Sequence, residues 1–272
     1  MSRTPPVPLK AVLLNTPDIE VWPAGLLRAR GNRDARLLSQ SRWVMRRKRD
    51  GMYLAAGAGT CWHGLQPAWR RQPGVADALR TMAHEGARSA PRPHAALPMQ
   101  RLQQRLDALG LDAAQYAQRS GLALVAEPAV LDLAGLDRYR RALWLRRDAA
   151  RAWRGMQAVA LRDGIVLEAI SGYRSHDYQL GIFERKRARG LSVAEILQVN
   201  AAPGFSEHHS GLALDLGAPD EPPAEESFEA TPAFAWLRDN AGTHGFCMSY
   251  PRDNPHGIVY EPWHWRYAAS GV

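Results

Sequence analysis

Two stretches carry residue types from which a hydrolytic centre can be built: Ser206-Glu207-His208-His209-Ser210-Gly211-Leu212-Ala213-Leu214-Asp215, and Glu261-Pro262-Trp263-His264-Trp265-Arg266-Tyr267 near the end of the chain. Together they supply two imidazoles, a carboxylate ligand and one spare carboxylate, which is the inventory of a catalytic zinc site. Zinc held by three protein ligands keeps a fourth position for water and lowers the pKa of that water to ~7. The spare carboxylate can then take the proton.

These residues need elements that bring them together. His208 and Asp215 are seven positions apart, so on a uniform strand they face opposite sides. They converge only if the backbone bends, and Gly211, free to take positive φ, is the place for it. Upstream, Arg147 to Asp163 reads as an amphipathic helix with Ala150, Trp153, Ala160 and Leu161 on one broad face and Gly164 as its stop. Ile165 to Ile170 reads as a strand that delivers Ser171-Gly172-Tyr173-Arg174, so that the arginine at its end points into a cleft. A helix from Asp177 to Gly190 follows, and Ser192 with Glu195 makes a capping box for the next. Thr231 as N-cap and Pro232 at the first helical position open a helix ending near Gly242. Phe246 to Tyr250 and Gly257 to Tyr260 read as antiparallel strands around a loop with Pro251, Asn254 and Pro255. This order is that of an α+β fold: an antiparallel sheet with helices packed on one side.

Residues 1–96 give no sustained period. Prolines at 5, 6, 8, 17 and 23, arginine clusters and tryptophans at 22, 43, 62 and 69 suggest an ordered appendage of unknown role. A linker is expected at 89–94 and a domain boundary near 96, with the second domain at 97–272 and its core at 140–272. From Leu97, two short helices around Gly110 are read either as a helix-turn-helix or as a plain helical hairpin. The net charge of +8 favours anionic partners, but it is carried by arginines throughout the chain. No nucleic acid is expected as a partner. Cys61 and Cys247 are too few for a disulfide framework, and whether they pair is left open. No run approaches a membrane-spanning length, and no conventional signal peptide is read at the Met1 end. A monomer is expected.

The pattern Ser206-x-His208-x-x-Gly211-x-Ala213-x-Asp215, then Glu261-x-Trp263-His264, with Ser171-Gly172-Tyr173-Arg174-Ser175 and Gln179 ahead of both, resembles the VanY-like zinc D-alanyl-D-alanine carboxypeptidases, relatives of the VanX dipeptidases and of the hedgehog-type fold. The resemblance runs from about Leu97 to the end and does not reach the first ninety or so residues. It implies one Zn²⁺ in a cleft of the sheet, held by His208, Asp215 and His264, and it selects His208 over its neighbour His209. It implies Glu261 as the proton carrier and Arg174 as the stabiliser of the oxyanion or the holder of the substrate's terminal carboxylate. Gln179, Ser206 and Trp263 match substrate-contacting or site-shaping positions. The remaining histidines are taken as surface or core residues, with His256 near enough in sequence to reach the cleft. The substrate implied is a peptidoglycan stem peptide or muropeptide, losing a terminal D-alanine. LD-carboxypeptidase and endopeptidase activities use the same ligands, and a non-catalytic wall-peptide-binding module is the reading from another class. The substrate points to the periplasm or cell envelope, the lack of a visible signal to the cytoplasm.

Overall fold

A computed structural model describes residues 11–86, 95–198 and 200–268. The linker expected at 89–94 lies outside the described residues. The chain divides into two compact units, residues 1–97 with 128–133 and residues 98–127 with 134–272.

The first unit is built on an antiparallel sheet. Strands β1 (Val12–Asn15), β2 (Ile19–Pro23), β3 (Trp43–Arg47), β4 (Tyr53–Ala58) and β5 (Cys61–Gly64) pair in sequence order, and β6 (Val130–Leu136) pairs with the free side of β1. Helix α1 (Asn32–Gln40) brings Leu38 to a cluster with Val44, Tyr53 and Ala56, while α2 (Val75–Gly86) brings Val75 and Ala78 to Leu14, Val21, Met45 and Ala55. Neighbouring residues of one strand, such as Val44 and Met45, thus enter different cores. Strands buried on both faces read as continuous apolar runs, so no alternation marks them in the sequence. Trp62 and Trp69 are buried in this packing, and Trp22 donates its Nε1–H to Glu20 at 2.8 Å.

The second unit opens with α3 (Gln100–Ala108) and α4 (Ala113–Ser120), where Asp112 caps α4 by accepting from the N–H groups of Ala114 and Gln115. Leu102 and Leu106 of α3 and Tyr116 of α4 pack with Phe183, Ile196, Phe205 and Tyr250 of the same unit. The apolar faces of the two helices are therefore spent on their own core, as in a plain hairpin. A short strand missed in the sequence, β7 (Ala142–Leu145), precedes α5 (Arg147–Arg162). Then come β8 (Glu168–Ser171), α6 (His176–Ala188), α7 (Val193–Gln198), β9 (Ala213–Gly217), α8 (Pro232–Asn240), β10 (Phe246–Met248) and β11 (His264–Tyr267). Ser175 caps α6 through Tyr178 N–H at 3.1 Å, and Thr231 caps α8 through Phe234 N–H at 3.2 Å.

Four strands form an antiparallel sheet in the order β10-β11-β9-β8. The alternation in Ala213-Leu214-Asp215-Leu216 decides its two faces. Leu214, Leu216 and Trp265 enter a core with Trp153 and Met156 of α5 and Phe234 and Leu237 of α8. Asp215 points to the opposite face. Register sets His264 directly across from Asp215, with Trp265 across from Leu214, so the two candidate ligands are cross-strand neighbours.

One expected strand is corrected. The stretch 257–260 is irregular, and the strand in this part of the chain is β11, which begins at His264 within the Glu261 motif. Gly257 sits at φ +65°, and the Asn254 side chain donates to the carbonyls of Pro251 and Ile258, closing the segment into a loop. Among the described residues no helix is long and apolar enough to cross a membrane, and Cys61 and Cys247 are both free thiols.

Candidate metal centre

His208 stands in a 3-10 turn spanning residues 207–210, which ends at Gly211 with φ +68°. That left-handed residue turns the chain into β9, and it supplies the bend needed for His208 and Asp215 to meet. His208 is 2% exposed. Its Nδ1–H donates to the Gly172 carbonyl at 2.7 Å, so its Nε2 is the unprotonated nitrogen, and Nε2 lies 3.1 Å from Asp215 Oδ1.

His264 reaches the same carboxylate oxygen through its other nitrogen. Its Nε2–H donates to Glu207 Oε2 at 2.9 Å, and Nδ1 lies 3.2 Å from Asp215 Oδ1. One ligand atom from each of His208, Asp215 and His264 falls within 4.8 Å of the others, and all three residues are buried. Each imidazole is held from outside by an acceptor, the arrangement that orients metal-binding histidines.

Arg174 follows β8 at the edge of this cluster. Its Nη2 is 2.5 Å from both His208 Nε2 and Asp215 Oδ2. The guanidinium nitrogen stands in for a cation among the donor atoms, showing that they form a seat for positive charge. The electrostatics agree. Burial and the Arg174 charge push His208 down to about 4 against the pull of Asp215. For His264, burial is outweighed by the bonds to Asp215 and Glu207, which raise it to about 9. His208 is therefore a neutral imidazole, while His264 carries one proton more than its neutral form, which a metal ion would have to displace.

Glu261 begins a tight turn in which His264 N–H donates to the Glu261 carbonyl at 3.1 Å, which is the reason for the three-residue spacing. Its carboxylate lies 3.8 Å from His264 Nδ1. Burial, with the negative charges of Asp215 and Glu207, raises it to about 7 despite His264 and Arg174. A cleft of about 360 Å³ beside these groups is lined by Arg174, Gln179, Ser206, Trp263 and Glu261, and also by Asn200, Tyr250, Ile258 and Val259. Gln179 is 2% exposed; its Nε2 donates to the Ala201 carbonyl, and its buried Oε1 has no partner.

The structure thus brings all eight sequence-derived residues to one cleft. His256 stays out of it and donates from Nδ1 to the Ser120 carbonyl at 2.9 Å. His209 is fully buried and faces away from the ligand cluster. Its Nδ1–H donates to the Arg174 carbonyl at 2.7 Å, and its Nε2 accepts from Gly204 N–H at 3.1 Å. Sequence reasoning missed Glu207, Asn200 and Tyr250. Glu207 lay inside the motif, but its partner His264 is 57 residues away. Tyr250 packs its ring 4.7 Å from that of His264, and no local pattern marks it.

Residues 142–270 match the model of the family VanY, D-alanyl-D-alanine carboxypeptidase. The chain is 39% identical over 132 residues to YodJ of Bacillus subtilis (strain 168), a carboxypeptidase by name, covering 47% of each chain. It is 34% identical over 138 residues to the bifunctional D-Ala-D-Ala dipeptidase and D-Ala-D-Ala carboxypeptidase VanXYC of Enterococcus gallinarum, covering 46% of this chain and 67% of that one. A solved vancomycin-resistance D,D-pentapeptidase VanY in complex with Zn(II) is 27% identical, with a TM-score of 0.41, covering 50% of this chain and 78% of that one. The chain spans about half the length of the Bacillus relative.

Proposed function

Because this chain belongs to the VanY family of D-alanyl-D-alanine carboxypeptidases, we propose that it is a zinc peptidase that removes the terminal D-alanine from peptidoglycan stem peptides. The observation that carries this reading is the convergence of His208 Nε2, Asp215 and His264 Nδ1 on one buried point, with the outer nitrogen of each imidazole engaged elsewhere. Two nitrogens and one carboxylate oxygen suit zinc with one coordination position to spare. When bound there, the ion would lower the pKa of a water to ~7 and polarise the scissile carbonyl.

The chain's own residues do the rest. Glu261, whose carboxylate lies 3.8 Å from His264 Nδ1 and so beside the donor cluster, takes the proton of the attacking water and returns it to the leaving amine. Arg174 is permanently charged and already aims Nη2 into the cluster, so it can meet the oxyanion that develops as the carbonyl is attacked. Among the described residues it is the one lysine or arginine in the cleft lining, and the same charge can hold the substrate's terminal carboxylate. Gln179 and Ser206 line the cleft with polar groups, and Trp263 with Tyr250 walls it with aromatic surface.

Mass spectrometry of a stem pentapeptide and a stem tetrapeptide incubated with the zinc-loaded protein tests the proposal. Loss of one D-alanine from the pentapeptide, with the tetrapeptide left whole, is expected. Cleavage of the tetrapeptide alone would move the reading to an LD-carboxypeptidase, and no cleavage of either peptide would end it.

A further inference from the structure

We infer that Glu207 is a positioning residue: it sets which nitrogen of His264 faces the metal, a role that rests on the zinc reading of the cluster. A neutral imidazole carries a single N–H, and the nitrogen that bears it cannot coordinate. The two histidines solve this in opposite ways. His208 gives its Nδ1 to the Gly172 carbonyl and turns Nε2 inward, whereas His264 gives Nε2 to Glu207 and turns Nδ1 inward.

Three observations make Glu207 an anchor and not a passing surface charge. Its Oε2 to His264 distance is 2.9 Å, and the imidazole it holds is 2% exposed. Its second oxygen, Oε1, faces Arg266 Nε at 3.5 Å. Arg266 lies two residues after His264 on β11, hence on the same face of the sheet, and it holds the far side of the carboxylate. The backbone of Glu207 belongs to the turn that carries His208, and Ser210 Oγ donates to its carbonyl at 2.5 Å. One turn therefore presents a ligand, His208, and the partner that orients another, His264. The ring of Tyr250 also packs against that of His264, with the centroids 4.7 Å apart.

The test compares wild type, Glu207→Ala and Glu207→Gln. Zinc affinity is measured by competition with a chelator, and the exchange of the His264 Nε2 proton is followed by NMR in the zinc-loaded protein. Removing an outer partner of a metal-binding histidine typically weakens the metal ~10–100-fold, and that loss is expected for Glu207→Ala. Its His264 Nε2 proton should exchange faster than in wild type. Glu207→Gln keeps an oxygen acceptor and should lose less, and it keeps the comparison readable if the alanine variant does not fold. Wild-type zinc affinity and unchanged proton exchange in both variants would overturn the role of Glu207 alone. Failure of the wild type to bind zinc would overturn the zinc reading with it.

Discussion

At the scale of single residues, the site separates groups that exchange protons from groups that must not. Glu261→Gln keeps the shape of the side chain and removes the acceptor. Turnover of the pentapeptide should fall ~10²–10⁴-fold, the usual contribution of a general acid–base group, with zinc binding retained. Glu261 must be ionised to accept a proton, so kcat/KM should decline as pH falls. A bound dication beside the carboxylate favours its charged form, which places the midpoint of that limb below the value of about 7. A pH–rate profile of the zinc enzyme reads it directly, and a flat profile down to pH 5 would contradict the assignment. His209 behaves in the other sense. Burial and the neighbouring His176 hold it well below its ordinary 6.5. The unfolded chain takes up that proton first, so this residue's contribution to stability is whole above about 6.5 and is lost as pH falls below it. Urea unfolding of His209→Gln should show about 1–3 kcal/mol less stability at pH 7, the cost of unmet buried partners. The difference from wild type should shrink at pH 5.

At the scale of elements, two glycines decide where His208 stands. A Cβ on Gly172 would lie 2.8 Å from Leu143 Cδ1 and 3.0 Å from the Trp144 carbonyl oxygen, because the end of β8 passes against β7. Gly172→Ala should therefore cost about 1–3 kcal/mol as an overpacked contact. It also displaces the carbonyl that holds His208, so zinc affinity measured by chelator competition should fall together with the urea midpoint. Gly211 at φ +68° accomplishes the turn from His208 into β9. Alanine there should cost about 1–2 kcal/mol for its left-handed backbone, again with weaker zinc binding. Both substitutions lie outside the donor set, so a loss of metal affinity reports on element geometry.

At the scale of the whole chain, the prediction concerns the metal as a ligand of the folded state. Zinc at 100 times its dissociation constant should stabilise the protein by about 2.7 kcal/mol, seen as a higher Tm that a chelator reverses. An unmoved Tm would mean that His208, Asp215 and His264 do not act as one site. The amino-acid sequence alone determined which side chains of the second unit were candidates for a metal site, since the donor types, the three-residue step from Glu261 to His264 and the bend at Gly211 are local features, and the family resemblance chose among them. The caps at Ser192 and Thr231 and the helix after Arg146 were legible for the same reason. Only the tertiary structure decided what depends on pairing between distant segments. The register of β9 against β11 sets His264 across from Asp215, and the approach of the 207–210 turn brings Glu207 to His264. The loop before Glu261 looked like a strand because Ile258, Val259 and Tyr260 are apolar, yet Ile258 and Val259 serve as the cleft wall. The first unit was unreadable for a related physical reason: strands covered on both faces carry no alternation, and only the packed sheet shows which neighbour each residue meets.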